Sequence, residues 1–423
     1  MRLSGRQWRK RKLTLTKKAH LAINGGRPIR SVPLPPMHPG ASYYDEEEIQ
    51  AVLEVLQKKS PYRFYGPQFM DITSKFENDF AKYIGVKHAL AVSSGTAALH
   101  TALVSLGVKQ GYEVILPAYA WISCPSAVVA SGAKPVIANI DESLTIDPED
   151  VKRRITSKTK SIMAVHIRGS PCNLKSLSEI AKENELFLLE DCAQCMGGSY
   201  YGKKVGSIGD IGTFSFQINK LITAGEGGAV VTDNETLYEK AVMFHDCGTP
   251  YRKRKENIAI KPFPGINYRI TEIASAILRV QLRKADQIIK KIKLNKQRII
   301  NRISGLNGIT LRRENDPDGE IGIALVMFLP TPEKARQFRD ALYAENIKRP
   351  SGSYPGVIYD PNIHDGHVFP DWRHVLGDVN MKEYMPSLDL LSRAVHLDVS
   401  PLDSSEDLDD IADAIIKVAN ALL

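Results

Sequence analysis

Four short segments carry residue types that could act together on one substrate. Lys220 follows the apolar run Phe214-Ser215-Phe216 and precedes the turn Gly225-Glu226-Gly227-Gly228. A lysine between a buried strand and a tight turn can be partly desolvated. That lowers its pKa and frees a neutral amine for a Schiff base with a carbonyl. Glu190-Asp191 end the apolar run 186–189; a carboxylate at the carboxyl end of a parallel strand can pair with a protonated ring nitrogen. Ser93-Ser94-Gly95-Thr96 links an apolar run to a helical pattern, where a glycine and free N–H groups favour a phosphate. The fourth segment, Gly265-Ile266-Asn267-Tyr268-Arg269, leads into a long helix. Each alone also fits an ordinary role, such as a surface lysine or a helix-capping acid.

Two other motifs fail on chemistry. Gly197, Gly202 and Lys203 have P-loop spacing, but Lys204 stands where a magnesium-binding hydroxyl is needed, and no helix pattern follows. Cys192-Ala193-Gln194-Cys195 has no second ligand pair, and neither His100 nor His166 is suitably spaced. These cysteines read as partly buried thiols beside a site, with no metal expected.

The elements that must position these residues alternate. Strand-like runs at 88–92, 113–116, 135–139, 161–165 and 186–190 are separated by helical patterns at 96–106, 122–131, 148–155 and 174–184, and two shorter strand candidates follow at 212–216 and 228–232. This is the pattern of βαβ units and a mostly parallel sheet with helices on its faces. A helical pattern runs from about Thr271 to Ile303, with a basic middle read as a solvated outer face. Mixed α and β follows, closing on a helix at about 405–422. The expected layout is a basic tail over 1–18, a Pro- and Gly-rich arm over 19–45, a large domain over 46–290 and a smaller α+β domain over 291–423.

The net charge of +8 resides entirely in residues 1–18, which hold eight basic residues and no acid. It therefore describes a terminal extension and gives no reason to expect a nucleic-acid partner for the body. No apolar stretch has membrane-spanning length and no secretory leader is recognisable. Five cysteines without a regular framework fit reduced thiols and a cytoplasmic protein.

Taken in order, the segments SSGTAAL, LPAYAWISCPSAV, VHIRGSPCNLKSL, EDCAQ, GSIGDIGTFSFQINK, TAGEGGAVVT and GINYRITEIASAI resemble the DegT/StrS-like sugar and aminocyclitol aminotransferases. The resemblance implies pyridoxal-phosphate fold type I, that of aspartate aminotransferase, with a seven-stranded sheet. It implies pyridoxal 5′-phosphate, cycling through pyridoxamine 5′-phosphate, and ping-pong transfer from glutamate or glutamine to a keto or aldehyde sugar, sugar acid or cyclitol. Carried over residue by residue, Lys220 matches the lysine that bears the cofactor and moves the proton, and Asp191 the acid on the pyridine nitrogen. Trp121 matches the ring-stacking aromatic, Gln194 a contact near the phenolic oxygen, and Gly95, Thr96 and Ser215 phosphate contacts. Asn267 matches a phosphate contact from a neighbouring subunit, implying a homodimer with shared active sites. Cys195 and Met196 depart from the small residue and histidine usual after EDCAQ, and Arg168 stands where an aromatic is usual. Arg63, Arg168 and Arg269 are the candidates for a substrate carboxylate. Two other readings remain: a sugar dehydratase of the same fold, whose branch has His where Lys220 stands, and a non-catalytic regulator with a nucleic-acid-binding tail.

Overall fold

The computed structural model describes residues 20–248, 260–350, 355–362, 366–372, 376 and 379–423. The expected basic tail over 1–18 lies outside the described residues.

Seven apolar runs assemble into one sheet. They are β1 (His88–Val92), β2 (Glu113–Pro117), β3 (Lys134–Ala138), β4 (Thr159–Val165), β5 (Phe187–Asp191) and, beyond a hairpin of β6 (Ser199–Tyr200) and β7 (Lys203–Lys204), β8 (Ile211–Ser215) and β9 (Gly228–Thr232). Their spatial order is β1-β9-β8-β5-β4-β2-β3. The β2–β3, β2–β4, β4–β5 and β5–β8 pairs are parallel, while β9 runs antiparallel to both β1 and β8. Such strands read as continuous apolar runs because helices cover both faces.

The intervening helices are α1 (Glu46–Gln57), α2 (Ile72–Ile84), α3 (Gly95–Ser105), α4 (Ser123–Ala130), α5 (Pro148–Arg154), α6 (Leu174–Glu183) and α7 (Glu235–His245). Local chemistry starts them: Asp45 and Glu48 form a capping box on α1, and Ser94 and Asn173 accept from the first turns of α3 and α6. The P-loop-like stretch is the β6–β7 hairpin, whose turn uses left-handed Tyr201 and Gly202. From α2, Phe76 and Phe80 meet Phe214 and Phe216 edge-on at 5.0–5.7 Å, fixing the strand end that leads to Lys220. Such contacts contribute about 0.5–1.5 kcal/mol each beyond the area they bury.

The long helix α8 (Glu272–Ile303) is capped by Thr271 and buries Ala285, Ile288, Ile292, Ile299 and Ile303 along one stripe. Its basic middle is only partly the expected solvated face. Lys284 turns inward to Glu48 at 2.8 Å, and Lys296 to Glu320 at 2.5 Å. Long aliphatic stems let both reach acids that would otherwise lie buried without a cation. Beyond it, β10 (Thr310–Leu311), β11 (Ala324–Phe328), β12 (Gly356–Val357) and β13 (Ala394–Asp398) form an antiparallel sheet in the order β10-β11-β13-β12. With it come α9 (Pro332–Ala344), α10 (Met385–Arg393) and α11 (Ser405–Leu422).

Around Lys296, Glu314 and Glu320 share one cation, and Arg312 completes the group. Burial, and then the adjoining Glu320, push the Glu314 carboxyl up to about 7. Its ordinary value is 4.5, so its contribution to stability is full below that pH and is lost as pH rises through about 7. The melting temperature of the wild type should therefore fall relative to Glu314→Gln between pH 5 and 8. A pH-independent difference across that window would contradict the assignment.

Candidate active site

A cavity of about 610 Å³ opens beside the carboxyl ends of the central strands. Asp191, Gln194 and Lys220 line it together with Gly95, Thr96, Trp121 and Ser215. These come from five separate stretches of the chain, brought together by the parallel sheet.

Strand alternation sorts the paired acids at the end of β5. Asp191 lines the cavity and accepts from Cys124 Sγ at 3.2 Å and from the Ala193 N–H at 3.0 Å. Glu190, fully buried, turns the other way. It accepts from His166 Nε2 at 3.1 Å and from the backbone N–H groups of Gly206, Ile208 and Gly209 at 2.6–2.8 Å. Burial alone would raise its pKa, but His166 and these donors hold it below the ordinary value. Burial, followed by the Asp191 charge, pushes the Cys124 thiol up, so that it stays a neutral donor to the acid.

Lys220 lies beyond β8 on a loop closed at its base, where Phe216 N–H donates to Gly227 O at 2.8 Å and Thr223 Oγ1 to Phe216 O at 2.9 Å. The arm straps this loop down. Gly40 N–H donates to Lys220 O at 3.1 Å, Tyr44 Oη to Thr223 O at 2.9 Å, and Met37 and Pro39 line the cavity. Burial lowers the Lys220 pKa, with Asp191 partly opposing. The amine is thus closer to its nucleophilic form than a surface lysine.

At the other end, Ser94 caps α3 by accepting from Ala97 N–H at 3.0 Å. The first residues of that helix, Gly95 and Thr96, face the cavity. A side chain at position 95 would put its Cβ 2.7 Å from Ser215 Cβ, so only glycine lets helix and strand approach this closely. The Trp121 ring is 46% exposed and packs against His367 at 4.7 Å between centroids.

Of the three candidate arginines, Arg168 lines the cavity. Its Nε donates to Tyr119 Oη at 2.9 Å and its Nη1 to Asp398 Oδ1 at 3.3 Å, while its backbone N–H donates to Gln194 Oε1 at 2.9 Å. Arg63 is buried elsewhere and pairs with Glu77 at 2.5 Å. Arg269 pairs with Asp246 at 2.6 Å, and Asn267 is exposed; neither lines this cavity. Sequence reasoning missed Asp398, His367 and the arm residues at the cavity, and Tyr119 behind Arg168. Asp398 ends an apolar strand much as Asp191 does, but its place beside the large sheet had no local signal.

The thiols of Cys192 and Cys195 are buried and unbridged, and burial raises both pKa values, which removes thiolate chemistry. His166, Glu190 and Cys192 lie within 4.8 Å of one another. Their atoms are already committed, however, since His166 Nδ1 accepts from Cys172 N–H at 3.0 Å while Nε2 donates to Glu190.

The sequence model of the DegT/DnrJ/EryC1/StrS aminotransferase family matches residues 42–416. The chain belongs to this family. It is a pyridoxal-phosphate-dependent aminotransferase. It is similar to the GDP-perosamine synthase of Vibrio cholerae, 45% identical over 306 residues, covering 71% of this chain and 79% of that one. The solved structure of 3-amino-5-hydroxybenzoic acid synthase superposes with a TM-score of 0.78 at 30% identity, covering 92% of this chain and 99% of that one. S. venezuelae DesV in complex with a ketimine intermediate gives 0.78 at 28% identity, again covering 92% and 99%. The aminotransferase cavity fits the cofactor on its own chemistry: an amine, an acid and a helix N-terminus beside a glycine cradle line one space.

Proposed function

We propose that this aminotransferase moves an amino group from glutamate or glutamine to the carbonyl of a nucleotide-linked keto sugar by a ping-pong cycle. The observation that carries this reading is one cavity that joins the desolvated Lys220 to the Arg168–Asp398 pair. Such a pair offers a donor fork for a carboxylate and an acceptor for sugar hydroxyls beside the reacting amine.

When bound, the cofactor supplies an electron sink for the carbon from which the proton leaves. Lys220 would hold it covalently, and its amine is placed to act as general base and acid. Asp191 would keep the pyridine nitrogen protonated, with the neutral Cys124 thiol donating to its carboxylate. Trp121 would cover the ring face and Gln194 would meet its phenolic oxygen. Gly95, Thr96 and Ser215 would hold the phosphate. Asn267 belongs to the neighbour's site, so the working unit is a homodimer. The large domain comprises 46–290 and the small one 291–423. Five free cysteines support a reducing, cytoplasmic setting.

Similarity to a GDP-perosamine synthase supports a nucleotide sugar over a cyclitol. Transamination is reversible, so the enzyme should form glutamate when given GDP-perosamine and 2-oxoglutarate. Glutamate formation from an aminocyclitol but not from GDP-perosamine would overturn the acceptor class.

A further inference from the structure

We propose that Arg312, on the segment after β10, is a positioning residue. Its guanidinium holds the peptide turn that aims the Arg168 side chain into the cavity. The inference rests on the reading of Arg168 as a substrate-binding cation.

The turn is one the chain does not adopt freely. Arg168 has φ 51° and ψ 42°, and Gly169 follows at φ 78°. A non-glycine residue in the left-handed region is strained and persists only where its surroundings over-determine it. Here three groups do so. Gln194 Oε1 accepts from the Arg168 N–H at 2.9 Å, and Ile321 N–H donates to Gly169 O at 3.0 Å. Arg312 spans the remaining carbonyls: Nη1 donates to Ile167 O and Nη2 to Arg168 O, both at 3.3 Å.

Arg312 is suited to the task because it cannot swing. It is 6% exposed, and its Nη2 also donates to Glu320 Oε1 at 2.5 Å. Glu320 is pinned from its other oxygen by Lys296 at 2.5 Å. A planar fork can serve a carboxylate and two carbonyls at once, which a lysine ammonium on a flexible stem cannot. The turn it fixes leaves Arg168 Nε on Tyr119 and Nη1 on Asp398, at the substrate end of the cavity. The plain alternative is that Arg312 only neutralises Glu320.

A double-mutant cycle on the cofactor-loaded enzyme separates the two. Arg312→Lys keeps a cation for Glu320 and loses the double carbonyl tether. It should raise the KM of the amino donor about tenfold, the scale of one charge-assisted contact, and leave kcat within about threefold. Cofactor retention should be unchanged. Arg168→Gln should raise the same KM at least as much, and adding Arg312→Lys to it should change KM by less than about twofold. If Arg312→Lys unfolds the protein, Arg312→Met with Glu320→Gln removes both buried charges and should give the same KM split. Equal effects of the Arg312 change with and without Arg168, or a wild-type KM, overturn the inference while Arg168 keeps its role. A wild-type KM for both substrates in Arg168→Gln overturns the role of Arg168 and the inference with it.

Discussion

Lys220→Ala should lower turnover of amino donor and keto sugar by at least about 10⁴-fold, because the proposed mechanism gives one side chain both covalent attachment and general acid–base work. No second amine lines the cavity among the described residues, so nothing nearby can take over its role. The defect should also appear without any substrate. Borohydride reduction of the wild type should fix the cofactor's mass on the peptide that contains Lys220, and the alanine variant should retain none after denaturation. The loop would survive the change, since its fixed points are the backbone of Phe216, Gly227 and Lys220 itself and the hydroxyls of Thr223 and Tyr44. A variant that still transfers amine at a tenth of the wild-type rate would remove Lys220 from the chemistry.

The second large effect belongs to Asp191. Asp191→Asn keeps the shape of a side chain that is 5% exposed and keeps one of the two acceptor oxygens that serve Cys124 and Ala193. What it loses is the charge that, on the proposed mechanism, would hold a ring nitrogen protonated in a site where little water screens it. The half-reaction with glutamate should slow by roughly 10²–10⁴-fold, the range of a positioned proton or charge partner. Cofactor content should fall far less, because the phosphate end is separate. Single-turnover absorbance with glutamate measures the rate and dialysis measures retention. A half-reaction within tenfold of wild type would show that the ring does not depend on this acid.

Much of this was legible in the sequence, for identifiable reasons. The strands from His88 to Thr232 are buried on both faces and so stand out as apolar runs, and Asp45, Ser94, Asn173 and Thr271 mark helix starts by their own side chains. Lys220, Asp191 and the Gly95 turn stood out as candidates because each sits at an element boundary, whereas Trp121 was a candidate through the family resemblance alone; all four line the cavity. Other features had no local signal. That Glu190 and Asp191 face opposite sides follows from strand register, not from two adjacent acids. Arg63, Arg168 and Arg269 look alike as residues, and only tertiary partners separate the cation at the cavity from the one held by Glu77 and the one held by Asp246. Asp398 reaches the cavity, and Arg312 the turn at Arg168, from more than a hundred residues away in the chain. Inward-turned Lys284 and Lys296 defeat any reading of a basic helix face as solvent-facing, because the acids that draw them lie far away in sequence.

Glu190 has a consequence for the life history of the enzyme. Its carboxylate gathers His166 and three backbone donors entirely from the protein. The end of β5 is therefore tied down whether or not anything occupies the cavity on its other side. A newly made chain need not wait for its cofactor to complete this part of the fold, and a chain that loses it keeps a place ready for the next. Cofactor recruitment would then be a capture step with little ordering cost at this strand end.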